Sequence, residues 1–330
     1  MRRIPNRSKI LAYLVATVTF LLYLKIDCHH KRSLQIHRHL SINRPFTETL
    51  PAKSICTDLL KLSISIQDAD LDNLPPQYTL HTYINKIETD TEAMMAIPDT
   101  KNYVVIAFRG TEFTNINDWE TNLNAKKIRS QIPNAPKRVK LHQGFWNATI
   151  GNSIAAEFEE IILDLIDDDT HTIDNVYVTG YSMGGACAHI LGAYLAAKNS
   201  NINVNVVTFG QPRIGNKKFK KWTERKLENL SVFRFVNKND IVPRLPYNFK
   251  HAGHLYQIWW DDSELFYNQL GRGAYSEVPL LWYSGVSVMD HFTDDYLDFF
   301  QNRVENDPSI WTNEFEMNED CKKWQYGCDL

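Results

Sequence analysis

This 330-residue chain carries no large excess of either charge. Its 36 Lys and Arg nearly balance 39 Asp and Glu, a formal net charge of -3, and no basic stripe offers a track to a nucleic-acid backbone. Nucleic acid is thereby set aside as a partner. There is no internal repeat and no low-complexity tract, so one large globular α/β domain or two small ones must account for the length. A metal site is not signalled either. His29, His30, His37 and His39 cluster without a cysteine or carboxylate at ligand spacing, as expected of a solvated linker or propeptide. Cysteine is sparse: the five are Cys28, Cys56, Cys187, Cys321 and Cys328, and their spacing dictates no pairing.

The apolar run near the start is short as well. Residues 10–24, whose only polar members are Thr and Tyr, fall below the roughly 20 residues that a membrane span needs. Arg2, Arg3, Arg7 and Lys9 precede them, and a basic head before such a core reads as a signal peptide. Lys25-Ile26-Asp27-Cys28 makes a poor cleavage site, so an uncleaved signal anchor stands beside that reading for residues 1–27. Both predict the secretory pathway, the protein being secreted in one case and membrane-anchored in the other. Residues 28–51 follow as a basic, His-rich linker or propeptide in which Lys31-Arg32 suits a dibasic cut. Disulfides are permitted in that compartment. One could join Cys56 to the tail 306–330, which holds Cys321 and Cys328, while Cys187 reads as a buried thiol. Asn147-Ala148-Thr149 and Asn229-Leu230-Ser231 are glycosylation sequons.

What the chain does have is alternation. With 43% hydrophobic and 23% charged residues it is globular in composition, and from about residue 52 helical and extended patterns take turns. Residues 103–108 are a continuous apolar run, as in a buried central strand. Ile150, Ile154, Phe158, Ile161, Ile162 and Leu165 recur at helical spacing. Residues 176–179, 204–209 and 231–236 read as strands, 184–198 as a small-residue helix and 216–227 as a basic surface helix. This order predicts an α/β fold, a mostly parallel central sheet with helices on both faces. Chemistry then belongs at the carboxyl ends of the strands. Arg109-Gly110-Thr111, Ser182, Gly210-Gln211-Pro212-Arg213 and Asn239-Asp240 all fall there.

Ser182 sits in Gly180-Tyr181-Ser182-Met183-Gly184-Gly185, where a strand breaks into a helix. The flanking glycines leave room for a strained turn, and the helix start offers N–H groups to a developing oxyanion. Gly-x-Ser-x-Gly alone turns up by chance in about one chain in ten of this length. A serine nucleophile also needs an imidazole to take its proton and a carboxylate to hold the imidazole's tautomer. Asp240 lies just past a strand, and His291 stands before an aromatic helical pattern. His251 and His254, flanking a glycine at a strand start, read as structural, as do Arg109 and His142.

Taken in order, Ala107-Phe108-Arg109-Gly110-Thr111, His142-Gln143-Gly144-Phe145, the Ser182 motif and Phe209-Gly210-Gln211-Pro212-Arg213-Ile214-Gly215-Asn216 resemble the class 3 lipase family. The match continues through Asn239-Asp240-Ile241-Val242-Pro243-Arg244-Leu245-Pro246 and His251-Ala252-Gly253 to Asp290-His291, and spans about residues 80–300. The resemblance implies an α/β-hydrolase domain over 52–305, with Ser182 as nucleophile, Asp240 as acid and His291 as base. It implies Thr111 and the Met183 N–H as oxyanion donors, and a lid with Ile116, Trp119 and Leu123 on one face. It implies no metal or cofactor, a lipid ester substrate and a membrane or lipid-droplet interface. The expected activity is a triacylglycerol lipase-like carboxylic ester hydrolase. Phospholipase A, a feruloyl-type esterase, and an inactive membrane-tethered lipid-binding protein are the alternatives. Two departures stand out. Tyr181 replaces the family's frequent histidine and is expected to point away from the chemistry. The segment 261–287 before His291 is long and aromatic and is expected to reshape the acyl groove, and with it the substrate preference.

Overall fold

The computed structural model describes residues 50–110, 126–168, 173–237, 240–260, 265–270 and 289–303. The expectations for residues 1–27 and 28–49, for Thr111, for the lid residues Ile116, Trp119 and Leu123, and for Cys321 and Cys328 lie outside them. The described strands are β1 (Tyr78–Lys86), β2 (Thr91–Pro98), β3 (Tyr103–Phe108), β4 (Lys127–Arg129), β5 (Lys140–His142), β6 (Asn175–Tyr181), β7 (Asn203–Phe209), β8 (Leu230–Asn237), β9 (His254–Trp260) and β10 (Leu265–Leu270). The described α-helices are α1 (Lys53–Gln67), α2 (Gln143–Trp146), α3 (Ile154–Asp167), α4 (Met183–Lys198), α5 (Lys217–Lys226) and α6 (Thr293–Asp298).

Eight strands form one sheet in the order β1-β2-β3-β6-β7-β8-β9-β10, and β4 pairs separately with β5. The block from β3 to β9 is parallel throughout. Antiparallel partners close it at both sides, β2 and β1 at one edge and β10 at the other. The expected mostly parallel sheet is therefore present, with β10 drawn from the segment 261–287. Strand alternation explains why the apolar run of β3 is continuous. Val104, Ile106 and Phe108 enter one core with α3 and α4, while Val105 and Ala107 enter the other with α1 and the residues after His291.

The helices follow their patterns with local corrections. Ile154, Phe158, Ile162 and Leu165 are buried on one side of α3, but Ile150 belongs to a π-type turn, Asn147–Gly151. Ser153, at φ 70°, breaks the path between the two. Helix α4 is buried along most of its length, as a helix apolar all round must be. On the opposite face, a buried contact between Ser63 Oγ and Thr179 Oγ1 (3.1 Å) fastens α1 to β6. Cys187 is a buried free thiol as expected, and burial pushes its pKa up to about 12. Cys56 is also free and buried, its Sγ facing the Pro51 carbonyl, and the tail cysteines expected to reach it lie outside the described residues.

Candidate active site

Strand β6 ends at Tyr181 and α4 begins at Met183, which leaves Ser182 as a one-residue elbow at φ 54°, ψ -126°. Non-glycine residues rarely adopt that backbone, so the surroundings must hold it. The Ser182 N–H donates to Phe209 O at 2.9 Å. A Cβ on Gly180 would lie 2.3 Å from the Gly184 carbonyl carbon, and one on Gly184 would lie 2.3 Å from Phe108 O. The two glycines thus let β6, α4 and β3 close around the serine. Met183 is the first residue of α4, where the backbone N–H has no carbonyl to meet within the helix.

Two segments from farther along the chain converge on this hydroxyl. His291 Nε2 lies 3.0 Å from Ser182 Oγ, and His291 Nδ1 lies 2.7 Å from Asp240 Oδ2. A carboxylate only accepts, so Nδ1 carries the proton and Nε2 is left as acceptor for the serine hydroxyl. Asp240 is fully buried, and Val242 N–H donates to its Oδ1 at 2.9 Å. Gly210, at φ 62°, makes room behind the pair. A Cβ there would stand 2.7 Å from His291 Cε1 and 3.0 Å from Asp240 Oδ2.

Two tyrosines complete the surroundings. Tyr296 OH donates to Asp240 Oδ2 at 2.8 Å and accepts from Asn237 N–H at 2.9 Å. Burial first, and Asp240 second, push its pKa well above the usual phenol value, so it stays a donor. Tyr181 does not point away from the chemistry. Its ring stacks on His291 (centroids 4.8 Å apart, planes at 25°), and its hydroxyl donates to the His291 backbone carbonyl. The physical reason is strand alternation, which sends Tyr181 into the core that also receives Tyr296, Phe299 and Phe300. No local motif announces either contact, because each joins residues more than fifty positions apart.

The remaining candidates hold structure. Arg109 pairs with Asp90 (2.7 Å) and Glu92 (3.3 Å) at the end of the neighbouring hairpin. His142 caps α2, its Nδ1 accepting from Phe145 N–H, and stacks on Phe145. His251 Nε2 donates to Pro243 O at 2.7 Å, and burial holds its pKa well below the usual value. His254 stacks on Phe233. Gln211 meets Thr208 and the buried His189, and Arg213 donates to Tyr247 O. Met289 and Phe292, on either side of the His291 turn, are exposed large apolar side chains.

A mostly parallel sheet with Ser182 on the strand-to-helix elbow and Asp240 and His291 hydrogen-bonded in line behind it defines an α/β-hydrolase. Residues 105–250 match the sequence profile of the family described as lipase (class 3). It is 32% identical to the triacylglycerol lipase OBL1 of Arabidopsis thaliana, over 51% of this chain and 39% of that protein. It is likewise 32% identical to a lipase of Rhizomucor miehei, over 51% of this chain and 45% of that one. The chain thus spans less than half the length of these curated relatives. Among solved structures, a triacylglycerol lipase whose catalytic centre is a serine protease triad superposes with a TM-score of 0.58. It is 26% identical, and the match covers 72% of this chain and 91% of that one.

Proposed function

We propose that the protein is a serine carboxylic ester hydrolase, a lipase that cleaves acylglycerol esters through an acyl-enzyme. The hydrogen-bonded line Ser182–His291–Asp240 on a strained elbow carries the reading. Ser182 Oγ attacks the ester carbonyl while His291 Nε2 takes its proton. Asp240 keeps the Nδ1 proton in place and stabilises the imidazolium. The oxyanion forms toward the Met183 N–H and Thr111, each donor contributing about 3 kcal/mol where one has been removed. As the tetrahedral intermediate collapses, His291 returns the proton to the leaving alcohol. A water, deprotonated by His291, then releases the fatty acid and frees Ser182.

Support for a lipid substrate comes from the names of the relatives and from Met289 and Phe292, exposed apolar side chains beside the base. A lid carrying Ile116, Trp119 and Leu123 over the acyl groove belongs to the same proposal, as does docking at a lipid interface. So does routing to the secretory pathway by residues 1–27. The test is hydrolysis of emulsified triacylglycerol, a phospholipid and soluble short-chain esters by the wild type and by Ser182→Ala. The substitution is expected to lower kcat on the order of a million-fold. Hydrolysis retained in that variant overturns the proposal, and absence of fluorophosphonate labelling at Ser182 would favour an inactive lipid-binding protein.

A further inference from the structure

We infer that Tyr181 is a positioning residue that sets the His291 imidazole in register with Ser182, the residue next to it in the chain. This rests on the serine hydrolase reading above. His291 comes from 109 residues downstream of Ser182 and sits in a one-turn segment, Met289–His291. No strand or long helix fixes its backbone. What fixes it is a set of side chains reaching in from elsewhere.

Asn237 Nδ2 donates to Asp290 O at 3.0 Å, which anchors the turn from the end of β8. Tyr181 grips the next residue at two points, covering one face of the imidazole with its ring and bonding the backbone carbonyl with its hydroxyl. The same ring meets Tyr296 edge-on (centroids 6.2 Å apart), and Tyr296 in turn holds Asp240. A backbone bond fixes where the imidazole starts, and a stacked ring limits rotation about its side-chain bonds. The phenol face also lies against the ring that becomes cationic when His291 takes the serine proton, an arrangement that favours the charged form. Because Tyr181 and Ser182 are joined by one peptide bond, a shift of the elbow carries both base and nucleophile with it.

Tyr181→Phe keeps the ring and removes the hydroxyl, and Tyr181→Leu removes both. On a soluble p-nitrophenyl ester, kcat is expected to fall about tenfold in the first and about a hundredfold in the second, with KM within about twofold, as for a sub-ångström to 1 Å misplacement. The downfield proton resonance of the Asp240–His291 bond should shift or broaden in the same order. A purely structural tyrosine would lower the melting temperature and leave kcat and this resonance unchanged, and that result overturns the inference. Should Tyr181→Leu not fold, Tyr181→Phe decides through the same two readouts. If the wild type hydrolyses no ester, the reading under Proposed function fails by itself, and the resonance, which needs no substrate, still tests Tyr181.

Discussion

Gly210 has no side chain, and the room this leaves is filled by the base and the acid. A methyl group there would press on His291 Cε1 and Nδ1 and on Asp240 Oδ2, at a φ of 62° that alanine resists. Gly210→Ala is therefore expected to fold and to lose about a hundredfold in kcat, because the imidazole must move. Circular dichroism alongside steady-state kinetics on a soluble ester checks both halves of that statement. At this scale the sequence was readable only where a motif is local. Ser182 declared itself through the glycines two residues to either side, and Asp240 and His291 through their place in an ordered set of segments. Tyr296 and Tyr181 did not, since their bonds to Asp240 and His291 depend on which faces of distant elements meet. Tyr181 was misread for the same reason. Its environment is set by β6 alternation against a segment that arrives 110 residues later.

At the scale of elements, α5 shows how a short helix is pinned. Asn216 Oδ1 accepts from Phe219 N–H at 2.9 Å as an N-cap, and its Nδ2 donates to Arg138 O at 2.9 Å near the start of β5. Asn216→Ala loses these bonds together with that from Lys140 N–H to Oδ1 (3.3 Å), and should cost about 1 to 2 kcal/mol, read as a lower urea midpoint with kcat unchanged. Asn216→Asp keeps the cap but turns an acceptor-only carboxylate oxygen toward Arg138 O, so it should recover only part of that loss. The basic helix was expected over 216–227, and the structure runs from Lys217 to Lys226 with Asn216 as its cap. Buried parallel strands and helices with one apolar stripe were legible because their periodicity is strong. The antiparallel edges were not. The β1–β2 hairpin alternates half-buried and exposed residues only along β1, and β2 is buried nearly throughout. Strand β10 was hidden in an aromatic stretch whose composition says nothing of its partner.

Two buried histidines give the whole molecule a pH dependence separate from that of its chemistry. Burial, with the positive charge of Arg234 next in weight, lowers the pKa of His189 to about 3 and holds that of His251 well below its usual value. Each stays neutral in the fold but binds a proton near pH 6.5 once unfolded. Stability is therefore complete above about pH 6.5 and is lost as the pH falls, by about 1.4 kcal/mol per unit for each histidine until its folded pKa is reached. For His189 that window closes near pH 3. Urea unfolding at pH 6.0 and 5.0 should differ by about 2 to 3 kcal/mol. His189→Gln should flatten the curve by roughly 1 kcal/mol per unit, and an equally steep curve in that variant would contradict this account. One arrangement described above also has a consequence in time. Ser182 leaves the ribosome 109 residues before His291, an interval of roughly 5 to 20 seconds at ordinary rates of synthesis. Throughout that interval the growing chain displays a hydroxyl with no base to arm it. The proposed enzyme is therefore born inert, and its reactivity is delayed until α6 has been made and has docked.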